Sequence, residues 1–251
     1  MHFIFYRKCL TQNTAEHFPE IKQKNVIRKA WWKVAATLLL FYTFTAGFMI
    51  KVPHVGNLYG SIRNLFFHVP MWFAMMVLLI TSVVYAVLHL SRPSVHSDIY
   101  SREYAKTGIV FGTLGLITGA IWANYTWGEP WSNDPKQLLA AIALLIYAAY
   151  FILRNSIPDM DKRARIAAVY NVFACAMLFP TLWIIPRMVE SLHPGGQGVE
   201  GNPGFQGKSL DSTMRTVFWP AVLGWTLLGV WITTLRIRLE ILKEKQFENG
   251  K

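Results

Sequence analysis

Residues 67–90, FHVPMWFAMMVLLITSVVYAVLHL, decide the class of fold. This stretch contains no Lys, Arg, Asp or Glu. It is also longer than the roughly 20 residues that an α-helix needs to cross about 30 Å of hydrocarbon. An amphipathic helix of a soluble domain would carry a polar face opposite its apolar one. The stretch therefore predicts a transmembrane helix.

Similar apolar blocks recur along the chain. Hydrophobic residues make up 53% of the 251 residues and charged residues only 16%, a balance typical of a protein whose solvent is lipid. The blocks predict an all-α polytopic membrane protein with six transmembrane helices and no second domain. The predicted spans are residues 32–50, 67–90, 107–125, 138–153, 166–185 and 217–235.

The distribution of basic residues predicts the orientation in the membrane. The net charge is +11, but Lys and Arg lie in short segments between the apolar blocks, which argues against nucleic-acid binding. Both ends and every second connection together hold 19 Lys and Arg, whereas the alternate connections hold 6. Because basic residues accumulate on the cytoplasmic side, both termini are predicted to be cytoplasmic. This gives cytoplasmic tails at 1–31 and 236–251, a membrane domain at 32–235, and outer loops at 51–66, 126–137 and 186–216.

Two classes of chemistry are disfavoured by what the sequence contains. The two cysteines, Cys9 and Cys175, do not form a CxxC pair, so thiol redox chemistry is not expected. The sequence has no P-loop or other nucleotide-binding motif. Function is therefore sought in the outer loops.

The middle outer loop is rich in tryptophan. Trp122, Trp127 and Trp131 fall within ten positions, and Gly128 and two prolines interrupt the segment. Boundary tryptophans commonly form an interfacial belt. Because glycine and proline interrupt helices, we expect an irregular loop that presents the indoles to a flat apolar ligand such as a porphyrin. Lys136 is then placed to meet a propionate.

The predicted topology leaves three of the seven histidines outside: His54, His68 and His193. His68 lies at the outer start of the second span and His193 just beyond the fifth. Either alone is more often a hydrogen-bonded interfacial residue. Two imidazoles from different helices can, however, occupy both axial positions of haem iron. Zinc is disfavoured because the sequence has neither HExxH nor a cysteine cluster.

The sequence predicts two alternative roles for each charged residue near these histidines. Asp134, which precedes Pro135, is predicted either to cap a helix or to orient the tryptophan loop through Lys136 or Arg187. Arg63 and Arg187 are predicted to pair with haem propionates or with lipid phosphates.

The segment 127–136, WGEPWSNDPK, resembles the WWD loop of a haem-handling membrane family that includes CcmC, CcmF and CcsA. The His68-Val-Pro motif, the six spans and a histidine after the fifth span look most like CcmC, and the likeness covers nearly the whole chain. The resemblance implies that His68 and His193 are axial ligands of a transiently bound haem b. It also implies a haem-binding loop that contains Trp122, Trp127, Gly128, Trp131 and Asp134.

The resemblance also implies a function. Such a protein binds haem without catalysing a covalent reaction, presents it at the periplasmic face of a bacterial inner membrane, and passes it to a CcmE-like chaperone, with CcmA, CcmB and CcmD as associates. One alternative is a CcsA-like subunit of a cytochrome c synthase, which attaches haem to apocytochrome. Another is a transporter or structural assembly subunit. A transport path would need polar residues within the spans, and the predicted spans contain few of them.

The sequence departs from the family pattern at several positions. Asn133 stands where the family usually has another tryptophan before the aspartate, and Gln137 opens the stretch in which a threonine is common. The Gly-rich run at 194–207 is unusual, and His54 has no family role.

Overall fold

The structure, a computed structural model, describes residues 29–53, 56–193 and 210–249. Residues 1–28 of the predicted N-terminal tail, His54 and the Gly-rich run at 194–207 lie outside the described residues. The described parts of the chain are helical and contain no strand.

Within the described residues, six helical segments are long and apolar enough to cross a membrane, which confirms the predicted class and number of spans. A 3₁₀ helix, Gly56–Phe66, precedes the second span, and a π-helical turn, Pro180–Ile184, lies within the fifth. The α-helices are α1 (Trp31–Met49), α2 (His68–Ser91), α3 (Val95–Trp127), α4 (Pro135–Ser156), α5 (Met160–Phe179), α6 (Ile185–Met188) and α7 (Ser212–Asn249).

Two helices are longer than their apolar blocks predicted. Helix α3 begins at Val95, well before residue 107, and α7 continues through the predicted C-terminal tail as far as Asn249. The Ser94 hydroxyl caps α3 by accepting a hydrogen bond from the backbone N–H of Ser97 at 3.1 Å. Hydropathy falls at the charged ends of these helices, but their helical structure continues because the charges are paired.

Glu103 on α3 is the centre of this pairing. Its side chain is 1% exposed, and its carboxylate accepts hydrogen bonds from Arg102 Nε at 2.7 Å and Lys106 Nζ at 2.9 Å. Arg236 Nε on α7 donates to the other oxygen at 2.8 Å. Arg102 also pairs with Glu240 at 2.6 Å, so two ion pairs join α3 to the end of α7.

Replacing Glu103 by alanine is expected to destabilise the bundle by about 3 kcal/mol, the low end of the range for breaking a buried ion pair. The expected loss of stability is at the low end of this range because the three cations are partly exposed, so water can solvate them once the carboxylate is removed. Thermal unfolding in detergent measures the effect. Glu240→Ala, a carboxylate that is 25% exposed, is the control and should cost less than about 1 kcal/mol. Equal losses in the two variants would contradict this account.

Helix α2 lies at the centre of the bundle and packs against α3, α5 and α7. Its closest partner is α3, where glycines recur on one face. A Cβ placed at Gly108 would lie 2.8 Å from Leu79, and one at Gly112 would lie 2.6 Å from Met75. The pattern continues toward the other end of the pair, with Gly115 against Trp72 and Gly119 against His68. Small residues let two membrane helices approach closely, so the side chains of α2 rest on the backbone of α3.

The fifth span changes its hydrogen-bond pattern at Pro180. Proline has no backbone N–H and cannot continue the helical ladder. The chain forms the π-helical turn there, and Thr181 Oγ1 donates to the Met177 carbonyl at 2.7 Å. Such turns are frequent at functional sites. Here the turn precedes α6 and the segment Ser191–His193.

Candidate functional site

Four chain segments meet at one end of the bundle. Because consecutive spans run in opposite directions, the starts of α2 and α4 lie at the same end as the ends of α3 and α6. This arrangement brings His68, Trp122, Trp127, Asp134 and His193 together through contacts that are all formed near this end.

His68, the first residue of α2, lies directly against α3. Its Nδ1 is 2.8 Å from the Gly115 carbonyl oxygen and 3.3 Å from Thr118 Oγ1. A carbonyl oxygen can only accept, so Nδ1 carries the proton and the Nε2 lone pair of the neutral ring is available to a metal. A Cβ at Gly119 would lie 2.7 Å from His68 Cε1, so the ring needs glycine at that position.

Gly119→Ala is expected to displace the His68 ring, because the new methyl group would occupy the space of Cε1. We expect weaker ligand retention at this site and an altered haem absorption spectrum if haem is the ligand. Gly108→Ala is the matched control: it crowds Leu79 to a similar degree at the far end of the same helix pair. The proposed role of Gly119 requires that Gly108→Ala lower stability without changing the spectrum.

His193 is held by Asp134. Asp134 Oδ1 accepts from His193 Nδ1 at 2.8 Å, and Oδ2 accepts from the Leu192 backbone N–H at 2.6 Å and from Ser191 Oγ at 2.9 Å. The same carboxylate caps α4 by accepting from the Lys136 backbone N–H at 2.9 Å. The prediction of a helix cap is therefore confirmed, and the partner that Asp134 orients is His193.

The Asp134 carboxylate is ionised in this setting. Burial alone would raise its pKa, but the hydrogen bond and charge interaction with His193, and the bonds from Leu192 and Ser191, outweigh burial and hold the pKa well below its usual range. A carboxylate that accepts from Nδ1 fixes the proton there. In the neutral His193 ring, Nε2 would then be the nitrogen that carries the lone pair.

Trp122 and Trp127 surround the His193 ring. The ring centroid of His193 is 5.8 Å from that of Trp122 and 4.8 Å from that of Trp127, and the two indoles are 4.9 Å apart. Trp122 lies in α3, in agreement with the predicted span 107–125. The prediction that Trp127 comes from the irregular loop 126–137 was wrong, because α3 continues to Trp127 and ends at Gly128 with a φ of 89°. Glycine in this left-handed conformation terminates helices. The irregular segment is shorter, residues 128–134.

Trp131 lies in that irregular segment and is 38% exposed. Its indole Nε1 donates to Asn133 Oδ1 at 3.0 Å. The structure therefore separates the three predicted tryptophans into an inner pair around His193 and one outer indole.

The predicted propionate partners make other contacts. Arg63 donates from a terminal nitrogen to the Gly47 carbonyl at 2.8 Å and so ties the 3₁₀ helix to α1. The Arg187 guanidinium lies over the Trp183 ring, 4.9 Å from its centroid, and donates to the Trp183 carbonyl. Lys136 follows Asp134 at the start of α4 and lies within electrostatic range of both Asp134 and Arg187.

Sequence reasoning missed several residues that position the histidines. Gly115 and Gly119 were recognisable from the spacing of residues 108–119, GIVFGTLGLITG, whose four glycines fall on one helical face. Ser191 and Leu192 carried no such signal, because their role depends on a carboxylate far away in the sequence.

The two histidines are candidate ligands for a metal. Their rings are close enough to interact electrostatically, and among the described contacts none involves Nε2 of either ring. The His193 side chain keeps 18% of its surface exposed. Within the described residues, no three His, Cys, Asp or Glu side chains converge as a self-sufficient metal site.

These features define a multi-pass helical membrane protein with two positioned histidines and an aromatic pair at one end of its bundle. The model of the cytochrome c assembly protein family matches residues 8–193, which is well over half of the chain. The chain therefore belongs to the cytochrome c assembly protein family.

Individual relatives fall into two groups. Heme exporter protein C of Rhodobacter capsulatus is 27% identical over 220 residues, which cover 84% of this chain and 85% of the relative. Cytochrome c biogenesis protein CcsA is 43% identical over 82 residues in Prochlorococcus marinus subsp. pastoris and 44% over 110 residues in Thermosynechococcus vestitus. The aligned regions cover 33% and 43% of this chain but only 26% and 32% of those two relatives.

Proposed function

We propose that this protein binds haem at the end of the bundle where His68 and His193 meet, and hands it on during cytochrome c maturation. The observation that carries the proposal is the matched geometry of the two imidazoles. Each Nδ1 lies 2.8 Å from an oxygen that accepts, Gly115 O or Asp134 Oδ1, so each ring in its neutral form would offer Nε2 to a metal. Haem supplies an iron that binds two such nitrogens.

The aromatic residues give the porphyrin an apolar surface. Trp122 and Trp127 pack around His193 and remain half-buried, so a flat macrocycle beside this ring contacts indole instead of water. Trp131 adds a further exposed indole. Lys136, Arg63 and Arg187 are the nearby cations proposed to meet the propionates, and each would first have to extend from its present contacts.

The proposed setting is a bacterial inner membrane with the site at the periplasmic face. Support comes from the excess of Lys and Arg in the connections at the opposite end. We propose a CcmE-like chaperone as the haem acceptor and CcmA-, CcmB- and CcmD-like subunits as associates, because Heme exporter protein C aligns along most of this chain. In this role the protein binds and transfers haem without making a covalent bond to it.

Purification from haem-replete cells tests the proposal. We expect an absorption spectrum with a Soret band and the electron paramagnetic resonance of low-spin haem with two imidazole ligands. A haem-free protein that also fails to take up added haem would contradict it. Co-purification with a haem chaperone distinguishes handover from storage.

A second candidate is a subunit of a CcsA-like cytochrome c synthase. The local identity of 43–44% to CcsA proteins favours it. Incubation of the haem-loaded protein with an apocytochrome that contains CxxCH separates the two candidates. Covalent attachment without a chaperone would favour the synthase, whereas transfer that requires a CcmE-like protein would favour handover.

A further inference from the structure

The irregular segment between α3 and α4, residues 128–134, is held by the side chain of Gln137. Gln137 lies in the first turn of α4 and is 6% exposed. Its Oε1 accepts from the backbone N–H of Ser132 at 3.1 Å and from Ser132 Oγ at 3.2 Å, and its Nε2 donates to the Pro130 carbonyl at 3.2 Å. One amide therefore fixes the main chain on both sides of Trp131.

Asn133 holds the side chain of Trp131. Its φ is 56°, a left-handed conformation that asparagine tolerates better than most residues with a Cβ. Its Oδ1 accepts the indole N–H of Trp131 at 3.0 Å. The polar atom of the indole thus has a partner while 38% of the residue stays exposed.

We propose that Asn133 and Gln137 are positioning residues that hold the Trp131 indole against the edge of bound haem; the haem contact rests on the proposed function. Trp131 is three residues before Asp134, which bonds His193. A surface indole ordered before binding costs less entropy when the ligand arrives.

Fluorine NMR of the haem-free protein, labelled with fluorotryptophan, tests the positioning by itself. Trp131→Phe identifies the Trp131 resonance. Asn133→Gly keeps the left-handed backbone but removes the acceptor, Asn133→Ala removes the acceptor and adds backbone strain, and Asn133→Asp keeps an acceptor. We expect the Trp131 resonance to move or broaden in the Gly and Ala variants and to stay near its parental position in the Asp variant. An unchanged resonance in the Gly and Ala variants would overturn the positioning.

The haem dissociation rate tests the contact. We expect Asn133→Gly and Gln137→Leu to release haem about three- to tenfold faster, the effect of one or two lost hydrogen bonds, and Asn133→Asp to release it at nearly the parental rate. In a Trp131→Ala background, Asn133→Gly should have no further effect, because the two residues act as one unit. A further acceleration there would overturn the proposal that Asn133 acts through Trp131. A parental protein that binds no haem would overturn the contact and the proposed function together, whereas the fluorine spectra decide the positioning separately.

Discussion

The double variant His68→Ala, His193→Ala is expected to lose bound haem during purification. Both proposed axial nitrogens disappear, and only the proposed indole and propionate contacts remain to hold the macrocycle. We expect a loss greater than the roughly 10- to 100-fold reduction that removal of an outer hydrogen-bond partner causes at metal sites. Haem content per protein, measured by absorption and by the pyridine haemochrome, gives the result.

Single variants and a control sharpen this experiment. His96, an exposed histidine near the start of α3, provides the control variant His96→Ala, which should retain haem. His193→Gly leaves space at the site, and added imidazole should restore its low-spin spectrum. Full haem retention in the double variant would exclude both histidines as ligands. Restoration by imidazole of His193→Gly alone would identify that position as an axial ligand.

Asp134→Asn is expected to weaken haem retention about 10- to 100-fold, the usual effect of losing the carboxylate behind a metal-binding histidine. Asparagine is still a good helix cap, so α4 should keep its start. The variant loses the negative charge that fixes the proton on Nδ1 of His193. The measurement is the haem dissociation rate together with thermal stability.

Comparison with a second capping aspartate separates the two roles of Asp134. Asp159 caps α5 by accepting from the Lys162 backbone N–H at 2.8 Å, so Asp159→Ala loses a cap at a different helix start. We expect Asp159→Ala and Asp134→Ala each to lose about 1 kcal/mol of stability for the cap, and only Asp134→Ala to release haem faster. Similar haem release in both would mean that capping alone explains the effect of Asp134.

The number of spans and the placement of His68 and His193 at one end of the bundle could be predicted because both depend on local signals. An apolar block such as residues 67–90 identifies its own helix, and alternating spans assign His68 and His193 to the same end. The lengths of α3 and α7 could not be predicted in this way. A charged residue such as Glu103 normally indicates that a span has ended. Its ion pair with Arg236, far along the chain, keeps the charge within the helix, and the sequence does not show this pairing.

The tryptophan loop was misjudged for a different reason. Gly128 and Pro130 were both read as breaks in one irregular stretch, but Gly128 is the residue that ends α3, and Trp122 and Trp127 precede it. A glycine just after a helix is a termination signal, so the rings before it belong to the helix. The hydrogen bond between Asp134 and His193 could not be predicted from such local rules, because the sequence does not show which distant segment contacts a capping carboxylate.

The residues of the site come from separate segments of the chain, so they enter the membrane one after another during biosynthesis. A nascent chain that has inserted only its first four helices already carries His68, both inner tryptophans and Asp134, yet its carboxylate has no imidazole to hold. His193, the second proposed axial donor, follows only after the fifth span has been inserted into the bilayer. A chain that ends before His193 therefore has at most one of the two proposed axial imidazoles, so under the proposed function the ability to carry haem marks a protein whose insertion has proceeded past the fifth span.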